Sequence, residues 1–346
     1  MPPTVAGNFI YFDIEILPDG KILAGGQRLN PDGSVDNSFT TIPTPYKMEL
    51  QADGKILAIV NSFRELRRYN PDGTADSSFS TVTAENTIFD IEYLPDGKIM
   101  IGGLFGSLGG TGGRIIARLH PNGTRDLSFI PTGFGFDRGV KKIIHRGDGK
   151  YMVVGDFNDF NDIPRNKVAL LNPDGSLDNS FPGTQSVGAI NVQDFELFPD
   201  GKMLIGYHNQ SSFNTIFLYN PDGTVDNTKP IIVSRGGKVN HITQQPDGKI
   251  LMVGHFQHAN GSGRRSVARL NLDGSLDTSF NSGLPTFYNV NKVAIQPDGR
   301  LLFVIEGSPG TFRMHPDGSH DISFFASQLG SGIVLRDISI LPDGKI

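Results

Sequence analysis

One turn pattern constrains this chain more than any other feature. Pro-Asp-Gly-Lys, with small variations, recurs eight times along 346 residues. Its aspartates are Asp19, Asp53, Asp96, Asp148, Asp200, Asp247, Asp298 and Asp343, at a mean spacing of about 46 residues. A second turn, Asn-Pro-Asp-Gly-Ser/Thr and its variants, falls between them at Asp32, Asp72, Asn122, Asp174, Asp222, Asp273 and Asp317. In both, Pro presets φ at the first corner of a type I turn and Asp tolerates the next. Gly then supplies the positive φ that closes a three-residue hairpin with a bulge. Two hairpins per repeat make a four-stranded antiparallel unit.

The flanks of the turns read as strands. Phe12-Asp13-Ile14-Glu15-Ile16 and Phe89-Asp90-Ile91-Glu92-Tyr93 alternate apolar and polar before the first turn. Lys249-Ile250-Leu251-Met252-Val253-Gly254 follows it, and Val267-Ala268-Arg269-Leu270 precedes the second turn. Ser275 to Phe280 is expected to form a short fourth strand. No stretch has a 3.6-residue period, which excludes a helical solenoid. Four-stranded units at this spacing predict an all-β protein, a β-propeller of four-stranded antiparallel blades. Seven complete units over residues 11–336, after a lead-in at 1–10, predict seven blades. An extra inner half unit at 337–346 keeps an eight-bladed or incompletely closed ring as the alternative.

Composition narrows the function classes. With 43 Gly and 22 Pro the chain is turn-rich, and 37% hydrophobic residues suffice for a core. The absence of Cys excludes disulfides, thiolate metal sites and a Cys nucleophile. A net charge of −5 without a basic run argues against nucleic acid as a partner. The start, MPPTVAGNFIYF, has no basic region or long apolar stretch, so no signal peptide is expected. No membrane span is expected either.

The turn spacing and the strand endings together resemble a known family. Gln296-Pro297-Asp298-Gly299, and Asn271-Leu272-Asp273-Gly274-Ser275-Leu276-Asp277-Thr278-Ser279-Phe280, are similar to the delta-60 repeat, a bacterial β-propeller repeat of unknown function. The resemblance covers residues 11–346. The order of elements is also similar to NHL-type blades, which implies that the strand before the first turn is innermost. With no Trp, WD-type and Asp-box blades match poorly.

Hairpin register pairs an Arg on the third strand with an Asp eight residues later. The pairs are Arg28/Asp36, Arg68/Asp76, Arg118/Asp126, Arg269/Asp277 and Arg313/Asp321, with Leu170 and Leu218 at the Arg position of units four and five. Asp178 and Asp226 persist there, so the Asp is expected to bond backbone N–H groups of the following bend as well. The Phe three residues on, Phe39, Phe79, Phe129, Phe181, Phe280 and Phe324, is expected to pack between blades. Lys229 replaces it in unit five.

No catalytic constellation stands out. The eight His residues have no metal-ligand spacing, and no G-x-S-x-G, H-E-x-x-H or phosphate loop occurs. Gly109-Gly110-Thr111-Gly112-Gly113 lies between strands and opens no helix, so it is not a phosphate cradle. No cofactor is expected. Asn30-x-Asp32-x-Ser34-x-Asp36 imitates a calcium loop, but its Gly falls two residues early and the closing Glu is missing. Asp156, Asp159 and Asp162 are weak metal candidates, with a solvated loop as the plainer reading.

Topology sorts the loops onto two faces. The D-G turns occupy one. The other carries loops of varying length: Lys21 to Asp32 is 11 residues, whereas Lys98 to Asn122, Lys150 to Asp174 and Lys249 to Asp273 are each 24. Loops on a rigid scaffold carry recognition. The candidate binding residues are therefore Phe105, Phe157 and Phe256, at matching places after the second strand, with Phe160, His258, Arg264 and Arg265. The bland reading of the three matched Phe is that each caps its own blade. The expected function is a non-enzymatic binding, adhesive or scaffold module that meets a protein or glycan ligand on this face. The family resemblance implies a bacterial secreted or surface/appendage protein. Two alternatives stay open: a carbohydrate-active propeller hydrolase, with carboxylates converging at the channel, and an architectural segment of a longer repeat array.

Overall fold

The computed structural model describes residues 13–109, 111–112, 115–129, 135–183, 191–208, 215–226, 231–232, 237–284, 288–305, 310–324, 338 and 340. Among them there are strands, turns and bends and no helix. They fall into two compact bodies, 13–183 and 191–340. The lead-in at 1–10, Lys229 and most of the half unit at 337–346 lie outside the described residues.

Units one to four build the first body. Unit one pairs Ile14–Ile16, Ile22–Ala24 and Gln27–Leu29 in sequence order. Units three and four repeat the plan with Ile88–Tyr93, Ile99–Gly103 and Ile116–Leu119, then Val140–His145, Tyr151–Gly155 and Val168–Leu171. Unit two, Lys47–Leu50, Ile56–Val60 and Glu65–Tyr69, adds a fourth strand, Val82–Thr83. In the second body unit five also has four strands, and units six and seven have three. The middle strand of a unit is covered on both faces, so Ile56–Val60, Tyr151–Gly155 and Leu301–Ile305 are buried throughout. That burial explains their near-continuous apolar runs.

Both turn types take one geometry. In the second turn of unit one, Gly33 N–H donates to Asn30 O at 2.8 Å and Asn30 N–H to Ser34 O at 2.8 Å, with Gly33 at φ 84°. The Asp32 carboxylate accepts from the Ser34 N–H at 2.9 Å, which fixes the second corner. The expected fourth strand is reduced. After the second turn a single bridge forms, such as Leu29 with Val35 or Leu270 with Leu276, and the chain then bends away. The ladder stops because the Asp carboxylate takes the next N–H: Asp36 Oδ1 accepts from Ser38 N–H at 2.9 Å and from its hydroxyl at 2.6 Å.

The inner strands share a bulge. Register shifts between Ile88 and Asp90, Val140 and Lys142, Val192 and Asp194, Val239 and His241, and Val290 and Lys292. The bulge re-aims the residue six before the turn aspartate. Asp90 Oδ2 thereby accepts the Ile143 N–H of the next unit at 2.6 Å, and Asp194 Oδ2 accepts the Ile242 N–H at 2.7 Å.

Candidate functional site

In units three, four and six, where the second turn follows 24 residues after the Lys of the first, the loop between the second and third strands folds as an extra two-stranded hairpin. Ser107–Leu108 pairs with Thr111–Gly112, Asp159–Phe160 with Ile163–Pro164, and His258–Ala259 with Ser262–Gly263. Their tips use left-handed residues: Gly109, Asn161 with Asp162, and Asn260 with Gly261. At the base, Ile115, Lys167 and Ser266 each hold a positive φ and donate their N–H to the carbonyl of Phe105, Phe157 and Phe256. The three loops are thus one device in three copies.

This geometry places the sequence candidates in two groups. Phe105, Phe157 and Phe256 are fully buried, as is Phe160 at 1% exposure. Each matched Phe shares a core cluster with the residue three on: Phe105 with Leu108, Phe157 with Phe160, Phe256 with Ala259. Phe136 packs on both Phe157 and Phe160, at 4.3 and 4.9 Å between ring centroids. The four rings root the hairpins and offer no face to solvent. His258 and Arg265 are exposed and Arg264 is half-buried. These three line a cleft of about 520 Å³ together with Gln257, Asn281 and Ser282. Asn281 and Ser282, which follow the D-x-S-F ending, were not singled out in the sequence because no motif marks them. A cleft of about 860 Å³ opens on the D-G turn face of the second body, lined by Pro199, Pro246 and Pro297 with Gln245, Ile295 and Ile340. Its lining is mostly repeated turn residues and carries no cation.

The weak metal candidates do not converge. Asp156 pairs with Lys141 at 2.8 Å and Asp162 stands at the hairpin tip. Among the described residues no three acidic or His side chains are grouped to hold a metal.

The Arg/Asp pairs form a larger latch. Arg118 Nε donates to Asp126 Oδ2 at 2.8 Å, Nη1 to Pro173 O of the next unit at 2.6 Å, and Nη2 to Ser128 Oγ at 3.1 Å. Arg28 reaches Asp36 and Pro71 O, Arg68 reaches Asp76 and Pro121 O, and Arg269 reaches Asp277 and Pro316 O in the same way. Arg313 pairs with Asp321 at 2.9 Å. All five guanidinium groups lie over the Phe three residues beyond the Asp, 4.6–5.0 Å from the ring centroid. Sequence reading missed a second cation, the Lys of the first turn. Lys21 reaches Asp36 at 2.9 Å, Lys150 reaches Asp178 at 2.6 Å and Lys202 reaches Asp226 at 3.1 Å. Where Leu170 and Leu218 replace Arg, this Lys keeps the Asp paired. Hydrogen bonds from Ser38, then Lys21, hold the Asp36 carboxyl well below the usual range. Burial opposes the same effect at Asp178, which Lys150 and Ser180 still lower to about 2.

Carboxylates do recur on the inner strands of the first body. Glu15, Glu49 and Glu92 stand four residues before their turn aspartates. Burial, reinforced by Glu15, Glu92 and Asp90 against the pull of Lys47, pushes Glu49 up to about 7. Their neighbours are engaged in holding strands together. Lys47 donates to Asp90, Asp13 accepts the Met48 N–H at 2.6 Å, and Glu92 accepts the His145 N–H at 3.0 Å.

Antiparallel sheets repeated in this order define a β-propeller, and comparison with known proteins agrees. The family described as a domain of unknown function (DUF5122) beta-propeller matches residues 17–39, 51–79, 94–129, 146–181 and 245–280. These matches fall on five of the repeats and are to the family of the delta-60 repeat propellers that the sequence resembles. No curated protein matches the sequence. Among solved structures, the C-terminal WD40 domain of Sif2 is 13% identical with a TM-score of 0.57, over 87% of this chain and 79% of that one. A streptogramin B lyase is 15% identical with a TM-score of 0.54, over 88% and 93%. PorZ, a surface component of the type-IX secretion system of Porphyromonas gingivalis, is 12% identical with a TM-score of 0.44, and the chain spans 46% of its length. At such identities the likeness is one of fold alone. No helix among the described residues is long and apolar enough to cross a membrane.

Proposed function

We propose that the chain is a non-enzymatic binding module whose ligand sits on the hairpin face, and that it belongs to a bacterial secreted or surface protein. The location rests on the family resemblance. One observation carries the binding reading: three loops of equal length fold as the same rooted hairpin but differ at the two positions after the matched Phe. Unit three offers Gly106 and Ser107 there, unit four Asn158 and Asp159, and unit six Gln257 and His258. A constant root under a varied tip is what a recognition surface on a rigid scaffold requires. Asp13, Asp90, Glu92 and Asp194 are occupied in joining strands, which favours binding over hydrolysis.

The test is a screen of the purified chain against arrayed glycans and peptides, followed by two variants. One replaces His258–Gly263 with Gly-Gly, and the other is Gln245→Ala on the D-G turn face. A hit lost with the first and kept with the second is expected. A hit kept with the first and lost with the second would move recognition to the turn face.

A further inference from the structure

Units four and six carry an Arg at the same place, immediately after the hairpin, and the structure treats the two differently. In both, the N–H of this Arg closes the hairpin, from Arg165 to Asn158 O at 2.7 Å and from Arg264 to Gln257 O at 2.9 Å. In both, Nη1 donates back to the preceding carbonyl, Pro164 O or Gly263 O, and Nε is buried without a hydrogen-bond partner. Arg165 is otherwise tied down. It is 6% exposed, and its Nη2 donates to Asn179 Oδ1 at 3.2 Å. A methyl group placed on Gly183 would meet its Cδ at 3.1 Å.

Unit six lacks each of these restraints. Thr278 stands where unit four has Asn179, and Asn281-Ser282-Gly283 replaces the shorter Pro182-Gly183. A methyl group on Gly283 would meet nothing within 4 Å, and the same holds at Gly261 and Gly263. Among the described residues no carboxylate lies in ion-pair reach of Arg264. Its side chain lines the open cleft with Arg265 and His258 beside it and Asn281, Ser282 and Gln257 around it. A guanidinium edge with two adjacent N–H donors matches a planar or tetrahedral oxyanion. Amide, hydroxyl and imidazole groups at the same cleft match hydroxyl groups. Phe256 is buried and among the described residues no Phe or Tyr lines the cleft, so it offers no aromatic platform for a neutral sugar.

We propose that the unit-six cleft binds an acidic glycan, with the guanidinium of Arg264 on a carboxylate or sulfate ester and the amide and hydroxyl groups on the sugar. This deepens the binding reading above and rests on it. An acidic peptide shares the charge but not the dense hydroxyl pattern that Gln257, Asn281 and Ser282 would meet.

The test is calorimetric titration of the full chain with four probes: oligogalacturonate, a sulfated galactan oligosaccharide, a neutral galactan oligosaccharide and a polyglutamate peptide. It is run for the parent, Arg264→Gln, Arg265→Gln, and Arg138→Gln as a charge-matched control on an exposed residue of unit four. Binding of at least one acidic oligosaccharide, absent for the neutral one and weakened by added salt, is expected. The carboxylated and sulfated arms tell which oxyanion is preferred. Arg264→Gln is expected to weaken it about tenfold or more, Arg265→Gln less, and Arg138→Gln not at all. If Arg264→Gln fails to fold, Arg265→Gln at the exposed rim still reports. Equal binding of the neutral oligosaccharide, binding of polyglutamate as tight as oligogalacturonate, no binding of either acidic probe, or affinity unchanged in both Arg variants would each overturn the proposal. A ligand from the array screen that is lost with the Gly-Gly hairpin would leave the broader binding reading standing in any of those cases.

Discussion

At the scale of single residues, the repeated Asp of the D-x-S-F ending does more than its Arg partner. Asp126 accepts from Arg118, Ser128 N–H and the Ser128 hydroxyl, and it faces Lys98 at 3.5 Å. Removing the Asp strands two cations and a bend N–H, whereas Leu170 and Leu218 show that the Arg position accepts an apolar side chain. Asp126→Ala is expected to cost about 1–3 kcal/mol in urea denaturation, and more than Arg118→Leu. A larger loss for Arg118→Leu would show that the guanidinium holds the latch. Gly175 is constrained twice. Its φ is +86°, and a Cβ there would sit 3.1 Å from the Phe129 ring. Gly175→Val is expected to cost on the order of 1–3 kcal/mol from the backbone alone, read as a lower melting temperature. An unchanged melting temperature would contradict the bulge turn and the ring contact together.

At the scale of elements, what could be read from sequence was what is local. Each D-G turn is set by five consecutive residues, and the Arg/Asp pairing follows from counting back from a three-residue loop. The Lys partner was invisible because it reaches Asp from the other hairpin of its blade, 15 residues away for Lys21 and 28 for Lys150. The fourth strand was overread because alternation in Ser275 to Phe280 reports side chains, while the Asp277 carboxylate takes the N–H that a ladder would need. The sequence offers Phe160 as a ligand anchor because it stands in a long loop. The ring that buries it, Phe136, comes from a segment 24 residues earlier with no motif of its own. Phe160→Ala is therefore expected to destabilise the first body by about 3–5 kcal/mol, by the usual cost of emptying a buried aromatic site. A melting temperature unchanged in Phe160→Ala would mean that the ring is not packed as described. Arg264 is legible in the sequence as a cation on a long loop, but its openness is not. That depends on Gly283 facing space where Gly183 faces Arg165.

At the scale of the whole molecule, titration of the inner strands and of the latches has opposite signs. Glu49 has a folded pKa of about 7 against an ordinary 4.5, so folding takes up a proton between those values and stability falls as pH rises through that window. Glu49→Gln is expected to raise the melting temperature relative to the parent at pH 8 and to change it little at pH 4. A difference independent of pH would contradict the burial of that carboxyl. Asp178 and Asp321 are held at about 2, so their stabilisation is complete above pH 4 and is lost as pH falls toward 2. The central claim concerns where recognition lies on this scaffold. Hydrogen exchange of the full chain with and without saturating oligogalacturonate tests it most directly, because the two clefts of the second body occupy separate stretches of sequence. Added protection at 255–266 and 279–284 is the expected result. Protection instead at 199–201, 244–248 and 295–299, the D-G turn cleft, would contradict it.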